Sequence, residues 1–230
     1  MTFGRFFLLV LLLLAGFAFG VWRGHIDVPP QWNPWAPLDI KLEPNLLTPY
    51  KLRRLQEDRS LCDQALATSD LEYVAVPDGM PQAGCPVENA VRVRRSAVRF
   101  NGAFLATCPL AAAYALFERH GLQPAAQAVF GQAVVQVDHF GSFACRNIAR
   151  SNRRSQHASA NALDLAGFRL EDGTRITVAR DWNGDDDRAR FLRQVKAAAC
   201  DTFRITLSPE YNAAHYDHFH VDMGGFGMCR

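Results

Sequence analysis

The six cysteines include no CxxC pair, which argues against an all-cysteine zinc ribbon or finger. The chain also lacks a charge of one sign. Twenty-five basic residues face twenty-three acidic ones, for a net charge of +2. No basic cluster dominates, so composition makes no case for nucleic acid as a partner. Internal repeats are absent, which sets aside solenoids and propellers. The apolar N-terminus ends in AGFAFGVW, without an Ala-x-Ala cleavage signature.

What is present is long enough for one sizeable domain and an appendage: 230 residues, 49% of them hydrophobic. Phe6 to Trp22 is almost unbroken apolar sequence between Arg5 and Arg23. Its length lies near the low end of a membrane span. The expected arrangement is an uncleaved anchor over residues 6–22 in the inner membrane, holding the rest of the chain in the periplasm. The alternative is a cleaved signal and a secreted protein. Residues 1–25 are therefore assigned as signal or anchor. Residues 26–49 form a proline-rich spacer, with six of the twelve prolines between Pro29 and Pro49. Residues 50–230 form the domain. Trp32 and Trp35 lie at the membrane interface or pack on that domain, and the apolar PWAPLDI favours packing.

Six cysteines beyond an export segment imply three disulfides, for which fifteen connectivities exist. The expected set is Cys62–Cys85, Cys108–Cys145 and Cys200–Cys229, the last pinning the tail near the final strand.

Thr48-Pro49 opens a helix expected to run to about Ala67. Arg92 to Phe100 (RVRRSAVRF) is the densest basic stretch and alternates as a strand with a solvated arginine face; attraction of anionic wall polymer is its lesser reading. Pro109 starts a helix that Gly121 should end. Strands are expected over Ala133–Phe140, NALDLAGFRL, RITV, RITL and HFHVDM, with a hairpin at Glu171–Thr174. Asp185–Asp187 precede a helix to about Phe203. Hairpins mixed with helices, rather than regular βαβ units, predict an α+β fold with an antiparallel sheet and flanking helices.

Two segments carry chemistry. HYDHFHVD places His218 and His220 two apart, on one face of a strand. SQHASANALD places His157 on a loop and Asp164 in the strand that follows. Together they supply His157, Asp164 and His220, the mixed nitrogen and oxygen set that a catalytic Zn2+ takes while keeping a fourth position for water. Asp217 stands beside them as the base if it lies on the turn entering the strand. Asp222 shares the His220 face and can orient an imidazole. His215 reads as flanking structure, and Asp138 and His139 need no special role. Ser155 is either a substrate contact or a turn residue.

These residues resemble the LAS metallopeptidases, the lysostaphin, D-Ala-D-Ala peptidase and hedgehog group, whose pattern is SxHxxGxAxD followed by (D/E)xxH, often with HxH. Ser155, His157, Ala162 and Asp164 match the first part, and Asp217, His218 and His220 the second. The motif glycine is Ala160 here, so the loop is expected to be slightly re-shaped. A wider resemblance runs over roughly residues 28 to 230. WNPWAPLDI, SFACR, SQHASANALDLAGF and LSPEYNAAHYDHFHVDMGG are similar to the bacterial extensin family. The resemblance implies a LAS-like fold and a zinc peptidase of peptidoglycan stem peptides. It implies Arg146 as a cation that stabilises the oxyanion; His218, on the His220 face, is the other candidate if protonated. A non-catalytic zinc or wall-binding module is the alternative.

Overall fold

The computed structural model describes residues 3–230. The apolar N-terminus forms α1 (Phe3–Trp22). It is long and apolar enough to cross a membrane, a property shared by anchors and signal sequences. Its large side chains lie in the open, with Phe6, Leu12 and Leu13 all more than half exposed.

Two short helices follow, α2 (Thr48–Arg54) and α3 (Arg59–Leu66), where one helix to Ala67 was expected. Asn89 stops the first by donating its side-chain amide to the Leu55 and Gln56 carbonyls, at 2.6 and 3.3 Å. Asp58 starts the second by accepting from the Leu61 N–H. The proline-rich stretch packs along α2 instead of hanging free. The side chains of α2 reach its proline carbonyls: Lys51 Nζ donates to Pro30 O at 2.6 Å and Arg54 to Pro34 O at 2.8 Å. Leu38 and Ile40 enter the main core, while Trp32 and Trp35 remain exposed.

Strands β1 (Glu72–Val76), β4 (Ala90–Arg95) and β6 (Phe104–Thr107) make a small antiparallel sheet in the order β1-β4-β6. Strands β2 (Gly79–Gln82) and β3 (Cys85–Val87) form a separate hairpin. The basic stretch expected as one strand is broken after Arg95. Ser96 turns the chain, bonding its own loop and the buried Glu118, and β5 (Arg99–Phe100) joins the other sheet.

Helix α4 (Cys108–Phe117) is buried at all ten positions and is the centre of the core. It does not end at Gly121. A π-turn over Glu118–Leu122 carries the chain into α5 (Gln123–Phe130), which Gly131 closes in the left-handed conformation. Gly121 serves close approach instead: a Cβ there would lie 2.7 Å from the Ala198 Cβ. Ala198 belongs to α7 (Asp187–Thr202), capped by Asp186 through the Ala189 N–H.

The large sheet contains β7 (Val134–His139), β8 (Ala162–Leu170), β9 (Arg175–Thr177), β10 (Ile205–Leu207), β11 (Phe219–Asp222) and β12 (Met228–Cys229). Its order is β12-β10-β11-β8-β7-β5, with β9 also on β8. The ladders are antiparallel apart from the edge pairs β10–β12 and β5–β7. The short α6 (Val178–Asp181) links β9 towards α7. Phe191 of α7 packs edge-on against Phe168 of β8, and Trp182 against Phe219 of β11. The fold is thus α+β, with predominantly antiparallel sheets and flanking helices.

Three disulfides are formed: Cys62–Cys108, Cys85–Cys145 and Cys200–Cys229. The third is as expected. The pairs Cys62–Cys85 and Cys108–Cys145 are corrected. Neighbours along the sequence do not pair because α3 packs on α4, bringing Cys62 to Cys108. The β2–β3 hairpin leaves the sheet to meet the loop after β7, bringing Cys85 to Cys145.

Candidate metal centre

The register of two strands builds the centre. β11 runs antiparallel to β8 with His220 directly opposite Asp164. Their neighbours Leu163, Leu165, Phe219 and Val221 point the other way, into the core. His157 comes from a single turn, Gln156–Ser159, which Ser155 caps by accepting from the His157 N–H. The turn is braced from behind: Asn161 joins the Gln156 and Thr107 side chains at 2.7 and 2.6 Å.

Ala160 stands where the resembling motif has glycine, yet the loop keeps a glycine-like form. Its φ is +55°, left-handed, and its buried Cβ joins a small cluster with Val87, Ala90 and Leu105. The methyl group's contacts offset the strain of that conformation.

Three atoms converge at this corner. His157 Nε2 lies 3.1 Å from His220 Nδ1 and 3.2 Å from Asp164 Oδ1, and His220 Nδ1 lies 3.0 Å from the same oxygen. Ligands about 2.0–2.1 Å from a tetrahedral zinc are about 3.3 Å apart, so the triangle matches one face of such a site.

The outer hydrogen bonds fix what these atoms offer. His157 Nδ1 meets the Ser142 carbonyl at 3.1 Å, which can only accept, so Nδ1 carries the proton. His220 Nε2 meets the Asp222 carboxylate at 2.9 Å, so Nε2 donates there. Asp222 also accepts the Gly224 N–H. Two imidazole lone pairs and a carboxylate oxygen therefore face one point, and only a cation reconciles them. Without a metal, a proton takes that place. Burial disfavours a charged His220, but hydrogen bonds to Asp164 and Asp222 outweigh it and raise its pKa to about 9. Burial likewise opposes the Asp164 charge, and bonds from His157 and His220 still hold the carboxyl far below the ordinary range.

Of the remaining candidates, the structure brings His218 to the triangle and sets Asp217 behind it. Asp217 Oδ1 bonds His218 Nδ1 at 2.8 Å, and His218 Nε2 lies 3.5 Å from Asp164 Oδ1. The group facing the triangle is the imidazole, and the carboxylate orients it. Phe140 packs edge-on against His218, a contact the sequence patterns did not reveal. His215 bonds Asn212 and lies with its ring centroid 5.3 Å from that of His218. Burial, then the neighbouring His218 and His220 charges, lower its pKa to about 4, which keeps it neutral. Arg146 is exposed on the loop beside His157, and its charge reaches His215. Ser155 is buried and caps the turn.

Asp138 pairs with Arg175 and His139 bonds the Gly102 carbonyl, both away from the triangle. Ser142 was missed because a backbone carbonyl leaves no mark in a side-chain pattern. A separate cavity of about 410 Å³, lined by residues including Ser96, Glu118, His120 and Gln123, lies at the π-turn and shares no residue with the metal corner.

The family described as Extensin-like protein C-terminus matches residues 60–230. No curated protein and no solved structure matches the chain.

Proposed function

Because this chain belongs to the extensin-like C-terminal family, and because its two motif segments meet in one three-donor corner, we propose that it is a zinc-dependent peptidase acting on peptidoglycan stem peptides or cross-links. The observation that carries the proposal is the set of three lone pairs converging within 3.0–3.2 Å of one another, each imidazole locked from outside. Two imidazoles and one carboxylate suit zinc. The arrangement resembles the LAS metallopeptidases in its motif, with Ala160 accommodated as described.

Bound zinc would supply a water of near-neutral pKa and polarise the scissile carbonyl. The chain's own residues do the rest. His218 Nε2, beside the triangle, accepts a proton from the attacking water and delivers it to the leaving amine. Asp217 holds that ring by its Nδ1 and steadies the charge it gains. Arg146 stabilises negative charge that develops on the amide oxygen. Phe140 shields one side of His218 from solvent.

The α1 helix is an anchor or a signal sequence, and three disulfides belong to an oxidising compartment. We place the domain in the periplasm, where such peptides are found.

The test is zinc content and muropeptide hydrolysis on the same preparation of the full chain, beside Asp217→Ala. The expected result is one zinc per chain in both, with hydrolysis about 10²–10⁴-fold slower in the variant. Zinc bound by both with no cleavage by either would leave a binding module and sink the peptidase.

A further inference from the structure

The surface beside the metal corner is charged in a way the chain as a whole is not. Between Asp138 and Asp164 there is no acidic residue, and residues 145–154 (CRNIARSNRR) hold four arginines. All four are exposed. Elsewhere some surface arginines find acids, such as Arg175 with Asp138 and Arg190 with Asp187, both at 2.9 Å, whereas the exposed Arg92, Arg94, Arg95 and Arg99 do not. Among the described residues, Arg146, Arg150, Arg153 and Arg154 are paired with none.

The segment has a fixed shape. It folds back on itself through an Asn147–Arg154 bridge and the Ile148 N–H to the Arg153 carbonyl at 2.9 Å. Cys145 ties its base to Cys85 of β3. The Arg154 guanidinium bonds Asn147 and lies against Gly84, where an added Cβ would come within 2.7 Å of it. At the tip, Arg150 is held left-handed with φ +60°, where glycine or asparagine is the ordinary choice. The side chains of Arg150 and Arg153 make no hydrogen bond among the described residues. Two backbone bonds, Ala144 N–H to His157 O and Ser155 N–H to Arg146 O, join the base of this hairpin to the His157 turn at 3.1 Å each. A groove of about 370 Å³ alongside includes Arg92, Ser142 and Phe143, and its Ser142 is the residue that orients His157.

We propose that this arginine hairpin seats the acidic part of the substrate, a peptide carrying several free carboxylates, with Arg150 and Arg153 as its contacts. The inference rests on the peptidase reading of the adjoining corner. Guanidinium groups take carboxylates two oxygens at a time, which lysines do not. An array of unpaired arginines on a braced hairpin fixes their spacing and speeds encounter with a polyanionic peptide. Ile148, 45% exposed between them, adds apolar contact.

The test uses the full chain carrying Asp217→Ala, so that binding is read without turnover. Fluorescence anisotropy is followed with a labelled stem tripeptide bearing free carboxylates, and with the same peptide amidated at those carboxylates. The acidic peptide should bind roughly tenfold tighter or more, and increasingly so as salt is lowered. Arg150→Glu/Arg153→Glu should weaken the acidic peptide at least tenfold, flatten its salt dependence and leave the amidated peptide and the melting temperature unchanged. Equal binding of the two peptides, or an unaltered affinity in the double variant, would overturn the proposal. Displacement by inorganic polyphosphate at far lower concentration than by the free acidic peptide would overturn the assignment to a peptide. Wild-type chain that binds the acidic peptide through these arginines without cleaving it would keep the seat and sink the peptidase.

Discussion

Two buried carboxylates in this molecule are driven in opposite directions. Asp164 sits between two imidazoles and stays ionised despite burial. Glu118 lies at the π-turn, where burial pushes its pKa up and the hydrogen bond from Ser96 only partly opposes it. The neighbouring Tyr114 is fully buried and raised well above its ordinary value, by burial first and by Glu118 second. Burial is common to both acids, so burial does not define a site. What separates them is company: lone pairs arranged to need a cation on one side, and on the other a single serine hydroxyl beside an acid that burial pushes towards its neutral form. The corner of His157, Asp164 and His220 is built for charge, while the π-turn is structural, holding the bend after β4 through Ser96.

The comparison breaks most sharply at the disulfides. Cys62–Cys108 joins α3 to the first turn of α4, and Cys85–Cys145 braces the loop beside His157. Cys62→Ser/Cys108→Ser should cost about 2–5 kcal/mol of stability and lower metal affinity less than loss of the second bridge, when measured below the lowered melting point. Cys85→Ser/Cys145→Ser should weaken metal binding as well, by freeing the turn that carries His157. Chemical denaturation and zinc titration of both variants separate the effects, and equal zinc affinity in the two would erase the distinction.

Asp222→Ala removes the partner of His220 Nε2 without touching the triangle. Zinc affinity should fall about 10–100-fold, as read by competition with a chelating dye. Glu118→Gln should leave it unchanged.

The pH dependence of Glu118 has a definite sign. Its folded pKa is raised above the ordinary 4.5, so the folded protein keeps a proton that the unfolded chain releases. Its contribution is fully present below 4.5 and is lost as pH rises through the raised folded value. The melting temperature of the wild type minus that of Glu118→Gln should therefore fall as pH rises above 4.5. A difference that grows with pH would reverse the assignment.

Ala160→Gly should do least. Relief of a left-handed alanine returns about 1 kcal/mol, and loss of a buried methyl removes about 0.8 kcal/mol. The melting temperature should barely move, whereas Ala160→Val, branched in a left-handed position, should lower it clearly.

Much of the corner was legible in the sequence. Side-chain alternation placed His218, His220 and Asp222, and the odd spacing of His157 from Asp164 separated loop from strand. The helical interior was less so. Gly121 carries a helix-ending signal, but the close passage of Ala198 decides its use. Cysteine pairing follows the packing of α3 on α4, which no spacing encodes. Asp217 pointed to the right place, but its role as partner of His218 depends on a turn geometry visible only once β11 is formed. The arginines of residues 145–154 were present as letters, but the hairpin that spaces them is a property of the fold.

The most direct test of the central claim is equilibrium dialysis of the full chain against zinc, wild type beside Asp164→Asn. The account predicts one tightly held zinc per wild-type chain and a folded variant that has lost it, because the amide removes the charge on which both imidazoles converge. A wild-type chain that binds no zinc, or an Asp164→Asn chain that binds it equally well, would contradict the account.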